Sequence, residues 1–249
     1  MSVTSKAADP VLHQLVERIK VLYETLRPIH NAHGESEDNR VEDNTIAWLE
    51  DPTAVKSADH WLITCICYGP WREQRQKRVW QRAGPRFERD LGGDIRNITE
   101  DNVRDLGFPF GWQREWLVSL SNYLRKCRMS FGELVRTLPE DGIEARNELL
   151  EALGVKEGTK VLSVFVRDCL KRDVFPIDTR VHSLLSALVL PQDERALVRL
   201  CRKANVSPRV LNRMLYSHQG EFCQEKRSSD CPLTFLCYRY GLWSSCLEA

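Results

Sequence analysis

Two residues, Lys160 and Asp178, carry the side chains best suited to bond-breaking chemistry. Lys160 closes a glycine-bounded turn, Leu153-Gly-Val-Lys-Glu-Gly-Thr-Lys160. Asp178 stands eighteen positions later, in Phe175-Pro-Ile-Asp-Thr-Arg-Val181. An amine is a nucleophile only when neutral. The positive end of a helix dipole disfavours an ammonium at a helix start, and partial burial would favour the neutral form further. A nearby carboxylate stabilises developing positive charge or activates a nucleophile. Each residue also has an ordinary reading, Asp178 as a helix N-cap and Lys160 as a solvated surface lysine. The nine cysteines are unevenly spread. Cys223, Cys231, Cys237 and Cys246 crowd the last 27 residues. Cys65, Cys67, Cys127, Cys169 and Cys201 sit in apolar or helical contexts and read as small packing residues.

The elements that position these groups read as helices. Val11, Leu12, Leu15, Val16, Ile19, Leu22, Tyr23 and Leu26 mark one face of a long amphipathic helix that Pro28 is expected to end. A short capped helix is expected near Asn44 to Leu49. Trp61 to Tyr68 is apolar and reads as a buried helix or a strand. Trp71 to Arg82 is basic and helical, and Thr99-Glu-Asp-Asn opens a short helix. Further helices are expected around Trp116 to Leu124, Glu144 to Leu153, Val161 to Leu170, from Asp178, from Asp193 to Ala204, and from Ser207 to His218. Strand pairs with hairpin turns are absent. The pattern predicts an all-α protein of about ten helices.

Composition bounds the possibilities. At 249 residues, 42% hydrophobic and 29% charged, the chain reads as a soluble globular protein of one large domain or two packed lobes. Lys and Arg number 36 against 35 Asp and Glu. That balance excludes a protein held to polyanions by overall charge alone, but not a local basic face. Such a face is visible from Arg72 to Arg89, where seven basic residues, Arg72 and Arg75 among them, meet two acidic ones, with Trp71, Trp80 and Phe87 interleaved. It fits phosphate contacts, and equally an ordinary solvated helix face. No apolar run approaches the ~20 residues of a membrane span, and no secretory leader is evident at Met1 to Pro10. The expected location is cytoplasm or nucleoid, or the nucleus of a nucleated cell, where disulfides are a poor default.

Taken in order, several segments resemble the helix-hairpin-helix DNA glycosylase superfamily, and its endonuclease III branch in particular. That family has a Leu-Pro-Gly-Val-Gly-Arg-Lys-Thr-Ala hairpin followed, at the same interval, by Val-Asp-Thr-His. Lys160 falls on its catalytic lysine and Asp178 on its catalytic aspartate, and Thr179 matches too. Leu106-Gly-Phe-Pro-Phe-Gly-Trp-Gln-Arg-Glu-Trp-Leu117 resembles its Gly-(Phe/Leu)-Tyr-Asn-x-Lys-Ala segment, and Ser217-His-Gln-Gly-Glu-Phe-Cys223 the stretch before its first cluster cysteine. Roughly residues 55 to 240 are covered. Here the turn lacks the proline and its glycines lie further apart. Pro70 stands where the family places a base-displacing Gln.

The resemblance implies a two-lobed fold over residues 1–222, with one lobe at about 55–158 and the other formed by the N-terminal helix with 159–222. A Cys-rich tail follows at 223–249. It implies a base-excision glycosylase, a monomer on double-stranded DNA with a damaged or mismatched base flipped into a pocket, and no membrane. Lys160 would add AP-lyase activity through a Schiff base. Gly154, Lys156, Gly158 and Thr159 would hold backbone phosphate, with Trp71, Arg72, Arg75 and Arg180 as further DNA contacts. The family tail binds a [4Fe–4S] cluster through Cys-x6-Cys-x2-Cys-x5-Cys. Here it reads Cys223-x7-Cys231-x5-Cys237-x8-Cys246, with Ser229 near the missing thiol. A cluster that uses Cys246, a clusterless remnant and a zinc site all stay open. His218 reads as a packing residue. Two rival functions are a non-catalytic binder of damaged or structured DNA, and a helical interaction protein that does not bind DNA.

Overall fold

A computed structural model describes residues 10–32, 57–67, 73–155, 159–223 and 230–239. Every regular element among them is helical. In order they are α1 (Pro10–Ala32), α2 (Ala58–Ile66), α3 (Glu73–Leu91), α4 (Gly111–Cys127), α5 (Phe131–Thr137), α6 (Gly142–Ala152), α7 (Thr159–Asp168), α8 (Thr179–Ala187), α9 (Glu194–Lys203), α10 (Pro208–His218) and α11 (Thr234–Arg239). Short 3-10 turns at Ile95–Asn97 and Val103–Leu106 lead from α3 to α4, and a π-turn at Gln219–Cys223 extends α10. No described helix is long and apolar enough to cross a membrane. The helix expected near Asn44 to Leu49 lies outside the described residues.

The chain forms two compact units. One comprises residues 45–172, the other residues 1–44 together with 173–249. In the first, α2 is the buried element. Leu62, Ile63, Cys65 and Ile66 are fully covered. The apolar run that suits either a helix or a strand is therefore a helix, apolar because α3, α5 and α7 surround it. Ser57 caps it by accepting from the His60 N–H at 3.3 Å. Gln113, wholly buried, bridges two elements. Its Nε2 donates to the Ile66 carbonyl at 2.6 Å, and its Oε1 accepts from the Phe110 N–H at 3.1 Å. The start of α4 is thereby fixed to the end of α2. Phe131 and Phe165 pack with ring centroids 5.6 Å apart.

In the other unit, α1 packs on α9 and α10 through Ile19, Leu22 and Leu26, and α10 also packs on α8. Helix α1 runs through Pro28, the residue expected to stop it. A proline removes one backbone N–H and crowds the preceding turn, which kinks a helix as readily as it ends one. The same holds for Pro85 inside α3.

The short helix that Thr99 to Asn102 opens is a 3-10 helix, Val103–Leu106, ahead of which Thr99 and Asn102 bond each other's backbone N–H groups. Cys127 is exposed at the end of α4, so it is no core residue. Helix α5 was not expected. It is short and declares itself mainly by its capping box, in which Ser130 accepts from the Glu133 N–H and Glu133 accepts from the Ser130 N–H.

Candidate functional site

Helices α6 and α7 pack on each other. Asp141 starts α6 by accepting from the Ile143 and Glu144 N–H groups. Buried Arg146 on α6 donates to Ser163 on α7 at 3.0 Å, which fixes the register of the pair. At the end of α6, Gly154 takes a left-handed φ of 66°. The Gly154 N–H donates to the Glu151 carbonyl at 2.9 Å, and the Val155 N–H to the Leu150 carbonyl at 3.1 Å. These bonds are those of a glycine C′ closure, which explains why the sequence has glycine there. Lys156, Gly158 and the intervening Glu157 lie outside the described residues.

Lys160 is the second residue of α7. It faces outward, while Leu162, Ser163, Phe165 and Val166 are buried. The partial burial expected of Lys160 is not found, because the apolar stripe of α7 lies on its other side. Thr159 is located as the first residue of α7.

Asp178 belongs to the other unit and caps α8. Its Oδ1 accepts from the Val181 N–H at 2.9 Å. The segment before it is irregular and buried at Val174, Phe175 and Pro176. Two side chains hold that segment. Glu194 accepts from the Phe175 N–H at 2.9 Å, and buried Asn212 donates to the Pro176 carbonyl at 3.0 Å. Two residues on, the Arg180 guanidinium lies over the Tyr216 ring, 5.1 Å from its centroid. Lys160 and Asp178 thus each stand at the first turn of a helix, in different units.

The basic segment is less uniform than its sequence suggests. Arg78 and Arg82 are exposed one turn apart on α3. Arg86 is drawn onto the Asp105 carbonyl, and Arg89 pairs with Asp90 at 2.6 Å. Phe87 is fully buried, and Trp80 packs over Gly84, so the two described interleaved aromatics serve packing. Trp71 and Arg72 lie outside the described residues, and Arg75 is located only as a position on α3.

In the tail, Cys231 Sγ lies 3.3 Å from Nε2 of His218, a fully buried residue. The His218 ring stacks on Phe222, with centroids 4.7 Å apart and planes at 22°. Cys223 closes the π-turn and Cys237 is buried on α11. Cys246 lies outside the described residues. Among the described residues no three His, Cys, Asp or Glu side chains are gathered as a ligand set. The donor standing against Cys231 is an imidazole, which fits a mixed nitrogen–sulfur site and not a four-thiolate cage. His218 is a packing residue, as its sequence context predicts, and the tail brings Cys231 back onto its ring.

Elsewhere, burial raises the Cys169 and Cys201 thiols to about 12. Burial also pushes Cys65 well up, with nearby Asp168 adding to the effect. These three read as packing thiols. No family model, curated protein or solved structure matches this chain.

Proposed function

We propose that this chain is a DNA base-excision glycosylase with AP-lyase activity. The Lys160 amine attacks C1′ of a flipped nucleotide, the N-glycosidic bond breaks with its electron pair leaving on the base, and a Schiff base to the opened sugar follows. β-Elimination of the 3′ phosphate then cuts the strand. Asp178 supplies the carboxylate that stabilises positive charge at the sugar. The observation that carries this reading is the pinned pair Phe175–Pro176, which leads into Asp178 at the head of α8. Lys160 stands exposed at the second position of α7. Arg78, Arg82 and Arg180 add positive charge for phosphate. The substrate is double-stranded DNA bearing a damaged or mismatched base, and the protein acts as a monomer in the nucleoid-bearing cytoplasm or the nucleus.

A second reading has its own observation. Asp178 already spends Oδ1 on the α8 cap, which is all a non-catalytic binder of damaged or structured DNA would require of it. Borohydride trapping on duplexes with an abasic site or assorted lesions separates the two. An adduct that Lys160→Ala abolishes is expected for the enzyme. Tight binding with neither adduct nor base release overturns the lyase and leaves the binder. No binding at any salt concentration leaves a helical interaction protein.

A further inference from the structure

We infer that His218 and Cys231 are two ligands of a zinc-type metal site that ties the C-terminal tail to α10. In tetrahedral zinc coordination a thiolate sulfur lies about 2.3 Å and an imidazole nitrogen about 2.0–2.1 Å from the metal, which puts the two donors about 3.5 Å apart. Cys231 Sγ and His218 Nε2 stand at 3.3 Å. His218 is fully buried, and its ring plane is set by the stack on Phe222. A nitrogen donor held that way is preorganised.

The local backbone supports a binding role. The π-turn Gln219–Cys223 inserts a wider turn directly after His218, a feature that concentrates at functional positions. It carries the chain from His218 to Cys223, a second thiol in the same stretch. Gln219, beside His218, is buried, and its Oε1 has no hydrogen-bond partner among the described residues. Cys237, six residues after Cys231, adds a further buried sulfur on α11. An imidazole with thiolates is a donor set for zinc or cobalt(II), whereas an all-cysteine cage suits iron–sulfur clusters.

The test uses the full chain. Metal analysis of protein purified without chelator is expected to give about one zinc per chain. Zinc-edge X-ray absorption of that wild-type protein should show a mixed sulfur–nitrogen shell with imidazole scattering. Cobalt(II) added to metal-depleted protein should give thiolate-to-cobalt charge transfer and tetrahedral visible bands. Cys231→Ser and His218→Ala should each weaken cobalt uptake by about tenfold or more, since even an outer-shell partner is worth that much. Exposed Cys127→Ser should leave it unchanged. His218 is a core residue, so if its variant fails to fold, the wild-type absorption spectrum decides. An all-sulfur shell, a stoichiometric iron–sulfide cluster, or no metal uptake at all overturns the proposal. In the last case the His218–Cys231 contact is a hydrogen bond only.

Discussion

Asn212 on α10 donates through Nδ2 to the Pro176 carbonyl, 3.0 Å away, and both residues are buried. Proline cannot use its own nitrogen as a donor, so its carbonyl is the only backbone handle at that point. Asn212 grips it two residues before Asp178. Asn212→Leu leaves that carbonyl buried and unpaired, a cost of roughly 1–3 kcal/mol. Thermal unfolding should shift down by roughly 2–10 °C. An unchanged melting temperature would show that the segment is held by Phe175 and Glu194 alone.

Asp178 can be asked which of its two roles matters. Asp178→Ala removes the α8 cap and should cost about 1 kcal/mol, whereas Asp178→Ser retains a capping oxygen and should cost only a few tenths. The glycosylase reading expects both variants to lose base release to the same extent. A Ser variant with full activity would reduce Asp178 to a cap.

Gly154 holds φ at 66°, and a Cβ there would meet Ser119 Oγ at 3.1 Å. Gly154→Ala should therefore destabilise by roughly 1–2 kcal/mol. Adding Ser119→Ala should recover only the steric part. Chemical denaturation of the single and double variants measures both. Full recovery in the double variant would mean that the left-handed backbone carries no cost.

Half-buried Asp59 accepts from the Ile95 N–H at 3.1 Å, and partial burial, with Asp94 nearby, raises its carboxyl above the usual range. The raised group favours the fold below its unfolded value and opposes it as pH rises through the folded one. Asp59→Asn keeps the acceptor and removes the half-buried charge. It should raise the melting temperature by roughly 1–3 °C at pH 7, with the gain vanishing below about pH 4. An equal gain at both pH values would contradict the electrostatic cause.

Thiol chemistry offers a pH test of the packing cysteines. Cys201 and Cys169 are raised to about 12 by burial, whereas an unfolded thiol ionises near 8.5. Their contribution is complete below about pH 8.5 and is lost as pH rises towards 12. Native protein at pH 8 should label quickly at exposed Cys127 and slowly at Cys65, Cys67 and Cys201. Rapid labelling of Cys201 would contradict its burial.

Much of the helical framework was legible because its signals are local. Three-and-four spacing exposed α1, α4, α7 and α10, and Asp178 and Asp193 announced α8 and α9 as caps. Gly154 marked the turn, since few other residues accept its conformation. Pro28 misled in the opposite direction, because a proline's local cost is outweighed when the flanking turns are buried elsewhere along the helix. The segment that pins Asp178 gives no periodic signal. Its hydrogen bonds reach Glu194 and Asn212, and no short window of sequence contains both ends. The loss of Arg86 to the Asp105 carbonyl, nineteen positions on, was invisible for the same reason. A charge count shows which residues are basic and says nothing about which acids or carbonyls they meet.

The division of the chain also dictates an order of assembly. Residues 45–172 form one unit from a continuous stretch, whereas α1 packs against α9 and α10, at the other end of the sequence. During synthesis the continuous unit is complete while α1, with Ile19, Leu22 and Leu26 on its apolar face, still waits for the helices that will cover it. Closure of that second unit has the longer loop to close and the higher contact order, and it sets the pace of folding. The exposed apolar face of α1 is then the surface on which a nascent or truncated chain aggregates, and the one a chaperone would hold.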